Sequence, residues 1–155
     1  MPVTRSVRTA LAAAAAVPTI AAVVGAAAPA QAAQHGLVTH RDLSVCEYNH
    51  DVDTGSVVRP GDRVVLSASG TIWTGWWFIG RNGPQGLGFN GEYDYPSPND
   101  PADSLLYKVG GSYHYAGTGT DFVSSEPSGR LRLRINDNVP GNGNGCFSVS
   151  FDLYR

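Results

Sequence analysis

Cysteine, catalytic signatures, helical periodicity and net positive charge are scarce or missing in this 155-residue sequence. Each shortage removes a class of protein. Only Cys46 and Cys146 occur, so no zinc site can be assembled from close-spaced cysteine pairs. There is no GxSxG elbow, no HExxH helix, no CxxC pair and no GxxxxGK phosphate loop, and with them go the commonest hydrolase, metalloprotease, redox and nucleotide-binding designs. His35, His40, His50 and His114 stand apart from one another and read as surface imidazoles. No segment keeps an apolar 3.6-residue period over three turns, so no amphipathic helix is predicted.

The one long apolar run lies at the start. Arg5 and Arg8 precede an alanine-rich stretch from Ala10 to Ala28, and Ala30-Gln31-Ala32 has the small-residue pattern of a signal-peptidase site. Residues 1–32 are therefore expected to be a secretory signal peptide. A membrane anchor is the alternative, but Pro18 interrupts the run and alanine is only weakly apolar, so no membrane insertion is expected. Without Arg5 and Arg8 the remaining 123 residues carry nine basic against thirteen acidic side chains, a formal charge of −4. That balance excludes nucleic acid and anionic membrane as partners. A chain of this length supports one core and one domain. In an oxidising compartment one Cys46–Cys146 disulfide is the natural pairing, against the alternative of two buried thiols.

What the sequence does have is glycine and alternation. Eighteen of its 19 glycines follow the leader, about twice the ordinary ~7% share. Residues 33–42 show no period and are expected to be a flexible N-terminus; a β-sandwich domain is expected over 43–155. Leu43 to Tyr48 alternates, and the polar stretch Asn49 to Gly55 ends it. Arg63 to Ser69 is a β-branched run that Gly70 is expected to break, with Thr71 to Thr74 as a separate short piece. Ser104 to Gly110, Ser112 to Ala116 and Thr120 to Val123 are further short strands. Arg130-Leu131-Arg132-Leu133-Arg134-Ile135 alternates strictly, which predicts a half-buried strand whose arginine face is solvated or serves as an interaction surface. From Cys146 to Tyr154, Phe147, Val149, Phe151 and Leu153 point inward. Many short strands separated by turn signals predict an all-β, antiparallel β-sandwich of jelly-roll type.

Two irregular segments could carry chemistry. Gly75 to Asp103 collects Gly, Pro, Asn and Asp with Trp76, Trp77, Phe78, Phe89, Tyr93 and Tyr95, beside Trp73; such rings stack on a sugar or on a protein partner, or else pack under the loop. Its acids Glu92, Asp94, Asp100 and Asp103 could pair for hydrolysis, though they read better as solvated turn-formers. Asn136 to Gly145 supplies Asn136, Asp137, Asn138, Asn142 and Asn144 among glycines. Oxygens of that kind suit calcium, and the same composition also suits plain turns.

Several short motifs, kept in order over about 100 residues, resemble the PA-I galactophilic lectin family of calcium-dependent galactose-binding lectins. They are Pro60-Gly61-Asp62, Gly70, Gly83-Pro84-Gln85-Gly86, Lys108-Val109-Gly110, Gly129, Ile135-Asn136-Asp137, Val139-Pro140-Gly141 and Gly145-Cys146-Phe147-Ser148-Val149. The resemblance implies a sandwich with one calcium near its end, bridging the protein and two galactose hydroxyls. By position, Asp137 matches the calcium-binding aspartate that also accepts from a sugar hydroxyl, and Thr74 matches a ligand acting through its backbone carbonyl. Asn142 and Asn144 lie where the family has adjacent ligands, but the loop here is shorter and the second position is Gly143. Tyr95-Pro96 matches the family's sugar-contacting His-Pro, Gln85 belongs to the neighbouring turn, and Trp76, Trp77 and Tyr93 add aromatic surface.

The implied function is a secreted, non-enzymatic lectin binding a galactose-type carbohydrate through calcium. The alternative is a secreted interaction or structural sandwich that has lost the calcium and sugar site, as the shortened Asn-Gly loop suggests. Lectins gain avidity by presenting several sites together, which leaves room for a homo-oligomer, although no residue pattern specifies one.

Overall fold

The computed structural model describes residues 36–155; the expected signal peptide lies outside the described residues. Eight strands run β1 (Leu37–Cys46), β2 (Val52–Val58), β3 (Arg63–Trp73), β4 (Leu105–Val109), β5 (His114–Tyr115), β6 (Gly119–Val123), β7 (Gly129–Ile135) and β8 (Asn144–Tyr154). They form two four-stranded sheets, ordered β1-β8-β3-β6 and β2-β7-β4-β5. The first strand pairs with the last, the second with the seventh, the third with the sixth and the fourth with the fifth, all antiparallel. The chain is thus one long hairpin rolled into a sandwich, which is the jelly-roll arrangement. Among the described residues no helix is long and apolar enough to cross a membrane.

The core lies between the sheets. Phe147, Val149, Phe151 and Leu153 of β8 meet Leu131, Leu133 and Ile135 of β7, with Val64, Leu66 and Ile72 of β3 and Leu105 and Val109 of β4. The inward alternation expected of β7 and β8 is observed. On the outer face of the second sheet, Arg130 pairs with Asp53 at 3.3 Å and Arg132 with Asp51 at 3.5 Å. Arg130 and Arg132 thus stand in solvent beside acids of β2 and the residue before it, whereas Arg134 is partly buried and donates to the Asp137 carbonyl.

Three expectations fail for physical reasons. Leu37 to Asp42, expected to be flexible, is the first half of β1 and pairs with β8 from Leu37↔Tyr154 onward. It shows no apolar period because both its faces are largely exposed; ladder hydrogen bonds hold it, and side-chain burial does not. The polar stretch 49–55 contains the start of β2, whose inward positions Thr54 and Ser56 are polar, with the Thr54 hydroxyl donating to the Leu131 carbonyl at 3.0 Å. Gly70 does not end a strand. β3 runs through it in unbroken register with β8. At φ 99° a Cβ there would lie 2.8 Å from the Cys146 carbonyl oxygen, so glycine is what lets the two backbones approach.

The Cys46–Cys146 disulfide is formed, between residues directly opposite each other on β1 and β8. Replacing both cysteines with alanine is expected to lower unfolding free energy by about 2–5 kcal/mol in urea melts, from the long loop released; unchanged stability would contradict that role. Asp62, buried at the far end, accepts from Arg155 Nε at 2.9 Å and from the Arg59 N–H at 2.8 Å. Burial opposes its ionisation, but these donors prevail and hold its pKa below the ordinary carboxylate range. A lowered folded pKa contributes stability above the unfolded value and loses it as pH falls through the folded one. Asp62→Asn is therefore expected to be less stable at pH 7 and to flatten the fall in stability below about pH 4, read by urea melts across pH.

Candidate functional site

The C-terminal ends of β1 and β3, the N-terminal end of β8 and the β7–β8 loop meet at one end of the sandwich, because β8 pairs with both β1 and β3 there. The irregular segment 75–103 folds back onto this end. Asn136, fully buried at the close of β7, holds it down: its side-chain oxygen accepts from Ser97 N, and its Nδ2 donates to the carbonyls of Ser97, Asp100 and Pro101 at 2.9–3.2 Å. Its main chain bonds Asp103 and Ser104 on either side. Asn136 is thus spent on structure and offers no oxygen to an ion.

That clamp positions Asp103. Its φ of 61° is the one positive value outside glycine among the described residues, a conformation costing about 1–2 kcal/mol. The backbone is held by Asp103 N–H on the Asn136 carbonyl and by Asn82 Nδ2 on the Asp103 carbonyl. Its carboxylate, expected to be a solvated turn-former, is instead 3% exposed and accepts the Thr74 hydroxyl at 2.7 Å. Burial pushes its pKa up to about 6; the Thr74 hydroxyl opposes the shift, and the Asp137 and Glu47 carboxylates add to it. Asp137, equally buried, is also raised. Burial leads there, the Val139 N–H opposes, and the Glu47 carboxylate adds to the rise. The nearest cation to Asp137 is Arg134, which lowers it and donates to its main-chain carbonyl at 3.3 Å.

Beside these acids opens a cavity of about 190 Å³, with Thr74, Asp103 and Asn138 on one side and Trp76, Phe89 and Tyr95 on the other. A pocket for a drug-sized ligand runs to roughly 300–1,000 Å³, so this one suits a single small ring. Burial, with Asp103 and Asp137 next, raises the Tyr95 hydroxyl to about 12, which keeps it a neutral donor. Trp77, Phe78 and Tyr93 stand outside the cavity and largely in solvent, Tyr93 at 91% exposure, with Trp77 and Phe78 edge to face at 5.6 Å. They do not pack under the loop. A larger depression of about 420 Å³ lies on the outer face of the first sheet among Ser44, Ser67, Ser69, Ser148 and Ser150. It holds only Asp42 as a charged group and is remote from the acids.

The structure brings some of the sequence-predicted residues together and separates others. Thr74, Tyr95 and Trp76 line the cavity, whereas Asp137 is not among its lining and lies behind it, next to the lining residue Asn138 and close enough to act on the Tyr95 hydroxyl. Asn142 lies against Gly75 on the same rim. Asn144 is the first residue of β8, exposed, with its oxygen taken by Arg81 Nη2 at 2.7 Å. Gly143 has no room for a side chain, since a Cβ would fall 1.8 Å from the Trp73 carbonyl oxygen. Gln85 is exposed, with its side chain against Gly83 and its carbonyl taking the Tyr115 hydroxyl; it and Pro96 are not among the cavity's lining.

Glu47 has no place among the sequence-based candidates, and Asp103 enters there only as one of four loop acids that could pair for hydrolysis. For Asp103 the only sequence signal is a carboxylate immediately before a strand. For Glu47 it is an acid directly after the cysteine of an edge strand.

The sequence matches no family model and no curated protein. Among solved structures the chain is similar to one described as "EclA N-terminal domain; PllA-like lectin", at 22% identity and a TM-score of 0.56, over 76% of this chain and 97% of that one. At that identity the likeness is one of fold.

Asn136→Ala is expected to cost about 2–3 kcal/mol, because it removes the hydrogen-bond partner of three part-buried carbonyls and of the Ser97 N–H at once. The loss should appear with increased hydrogen exchange confined to residues 95–104. A loss of stability without local exchange there would contradict the clamp.

Proposed function

We propose that this is a secreted carbohydrate-binding protein, a lectin and not an enzyme, that holds a galactose-type sugar at the cavity end of the sandwich through a calcium ion. The observation that carries the reading is the buried, unpartnered Oδ2 of Asp137, one residue before Asn138 in the lining of a ring-sized cavity that also holds Asp103 and three aromatic rings. A buried carboxylate oxygen without a donor is costly and needs a cation or a hydroxyl to satisfy it. The donors around it are hard oxygens, the kind calcium takes. The lectin resemblance of the sequence and the lectin fold of the structural neighbour point the same way.

Asp137, the Thr74 carbonyl and the Asn142 oxygens would hold the ion. When bound, it supplies a positive centre on which two neighbouring sugar hydroxyls can rest. The protein's own groups do the remainder. Asp103, ionised at neutral pH, accepts from a sugar hydroxyl, the Tyr95 hydroxyl donates to one, and the Trp76 ring gives the apolar face of the sugar a surface to stack on. Cleaving a glycosidic bond takes an acid and a base or nucleophile facing one bond from opposite sides; here Glu92 and Asp103 share the cavity's lining, but Glu92 is exposed and the Asp103 carboxylate is held by the Thr74 hydroxyl.

The second reading, a sandwich that binds a protein partner and no sugar, is favoured by the filled space at Gly143 and by the Arg81 contact of Asn144. Calorimetry and melting curves separate the two. At calcium a hundredfold above its Kd the melting temperature should rise by about 5–10 °C. Asp137→Ala should abolish both that rise and the binding of every glycan the parent retains on an array. No calcium shift and no glycan bound by the parent would leave the second reading standing.

A further inference from the structure

Glu47 is the one charged side chain at this end that neither the loop composition nor the fold likeness accounts for. It follows Cys46, so the disulfide fixes where its backbone sits, and its N–H continues the β1–β8 ladder to the Gly145 carbonyl at 3.0 Å. The side chain is 1% exposed. Its Oε1 accepts two N–H groups of the β7–β8 loop, from Gly141 at 2.8 Å and Asn142 at 3.1 Å, while its Oε2 is buried with no partner.

Asp137 repeats the pattern. Its Oδ1 accepts the Val139 N–H of the same loop at 3.0 Å, and its Oδ2 is buried with no partner. Two carboxylates that lie against each other therefore each commit one oxygen to the loop and leave the other bare. Closed to water, two such oxygens can stand together only with a proton shared between them, as their mutual hydrogen bond in the proton-bound form allows, or with a cation in that proton's place.

The same loop is short of ligands. Gly143 admits no side chain and Asn144 is engaged by Arg81, so one carboxylate and one amide remain where calcium wants six to eight oxygens. We propose that Glu47 is a ligand of the calcium ion, its Oε2 joining Asp137 Oδ2 in place of the amide oxygen that the shortened loop cannot supply. This rests on the calcium reading above. Two anionic ligands match the charge of a divalent ion, and hard carboxylate oxygens select calcium over zinc. Among the described residues no three His, Cys, Asp or Glu side chains converge in ligand geometry. The remaining positions therefore fall to main-chain carbonyls, Thr74 first, and to the sugar.

The test is calorimetric titration of calcium chloride into the parent, Glu47→Gln and Asp137→Asn, with melting curves in chelator and in calcium. Glu47→Gln keeps the Oε1 contacts, so it should melt in chelator no lower than the parent. It should bind calcium on the order of 10–100-fold more weakly and lose most of the calcium-induced rise. If Glu47→Gln binds calcium as tightly as the parent while Asp137→Asn does not, the Glu47 role is overturned and the calcium reading stands. If the parent gives neither heat nor a melting shift with calcium, both fall. Should Glu47→Gln fail to fold, Glu47→Asp decides, because it keeps the charge but withdraws the carboxylate by one methylene. Weakened calcium affinity then upholds the ligand role, and unchanged affinity overturns it.

Discussion

β8 is hydrogen-bonded on both sides, to β1 and to β3, and the placing of everything at the cavity end depends on that double pairing. It sets Cys146 opposite Cys46 on one side and opposite Thr71 on the other. The loop entering β8 must consequently pass between the end of β3 and the residue after β1. A strand paired on one side only could let that loop swing away. Here Gly143 is pressed against the Trp73 carbonyl and the loop's N–H groups are held by Glu47, so the loop is a fixed wall and its acids have nowhere to retreat.

The cost of that rigidity is electrostatic. Glu47, Asp103 and Asp137 are all buried at one end of the fold, where Arg134 is held at the main chain of Asp137 and Arg81 at the side chain of Asn144. Elsewhere the molecule handles its charges conventionally: Asp51 meets Lys108 at 2.7 Å and Asp62 meets Arg155 at 2.9 Å. At the cavity end Glu47, Asp103 and Asp137 make no ion pair of that kind among the described residues. Unbalanced charge held in place by ordinary packing is the form a binding site takes when its ligand brings the missing charge or donors.

How much of this was readable beforehand follows from which interactions have a local signature. The sandwich was legible because β7 and β8 alternate strongly and their inward residues make the core. The first half of β1 was not, because an exposed edge strand is held by backbone bonds that leave no mark on side-chain period. The disulfide was legible from the cysteine count and the expectation of export. Asp137 and Thr74 were singled out by resemblance; Thr74 lines the cavity and Asp137 lies behind it. The burial of Asp103, which reads from sequence as a solvated turn-former, and the whole of Glu47 escape such a reading because distant partners impose their positions: Asn136 and Thr74 for the first, Gly141 and Asn142 for the second. No window of neighbouring residues contains that information.

The pairing of first strand with last has a consequence for how the molecule comes to exist. Almost every stabilising contact joins residues far apart along the chain, which makes folding slow compared with proteins built from local contacts. β1 is synthesised first and must wait for β8, all the while presenting an unsatisfied edge on which other chains could build. His40, Arg41 and Asp42 place charges along that edge, the usual guard against such misassembly. Glu47 reaches Gly141 and Asn142 across sequence separations of 94 and 95 residues, so the β7–β8 loop gains that anchor only once the first and last strands lie side by side.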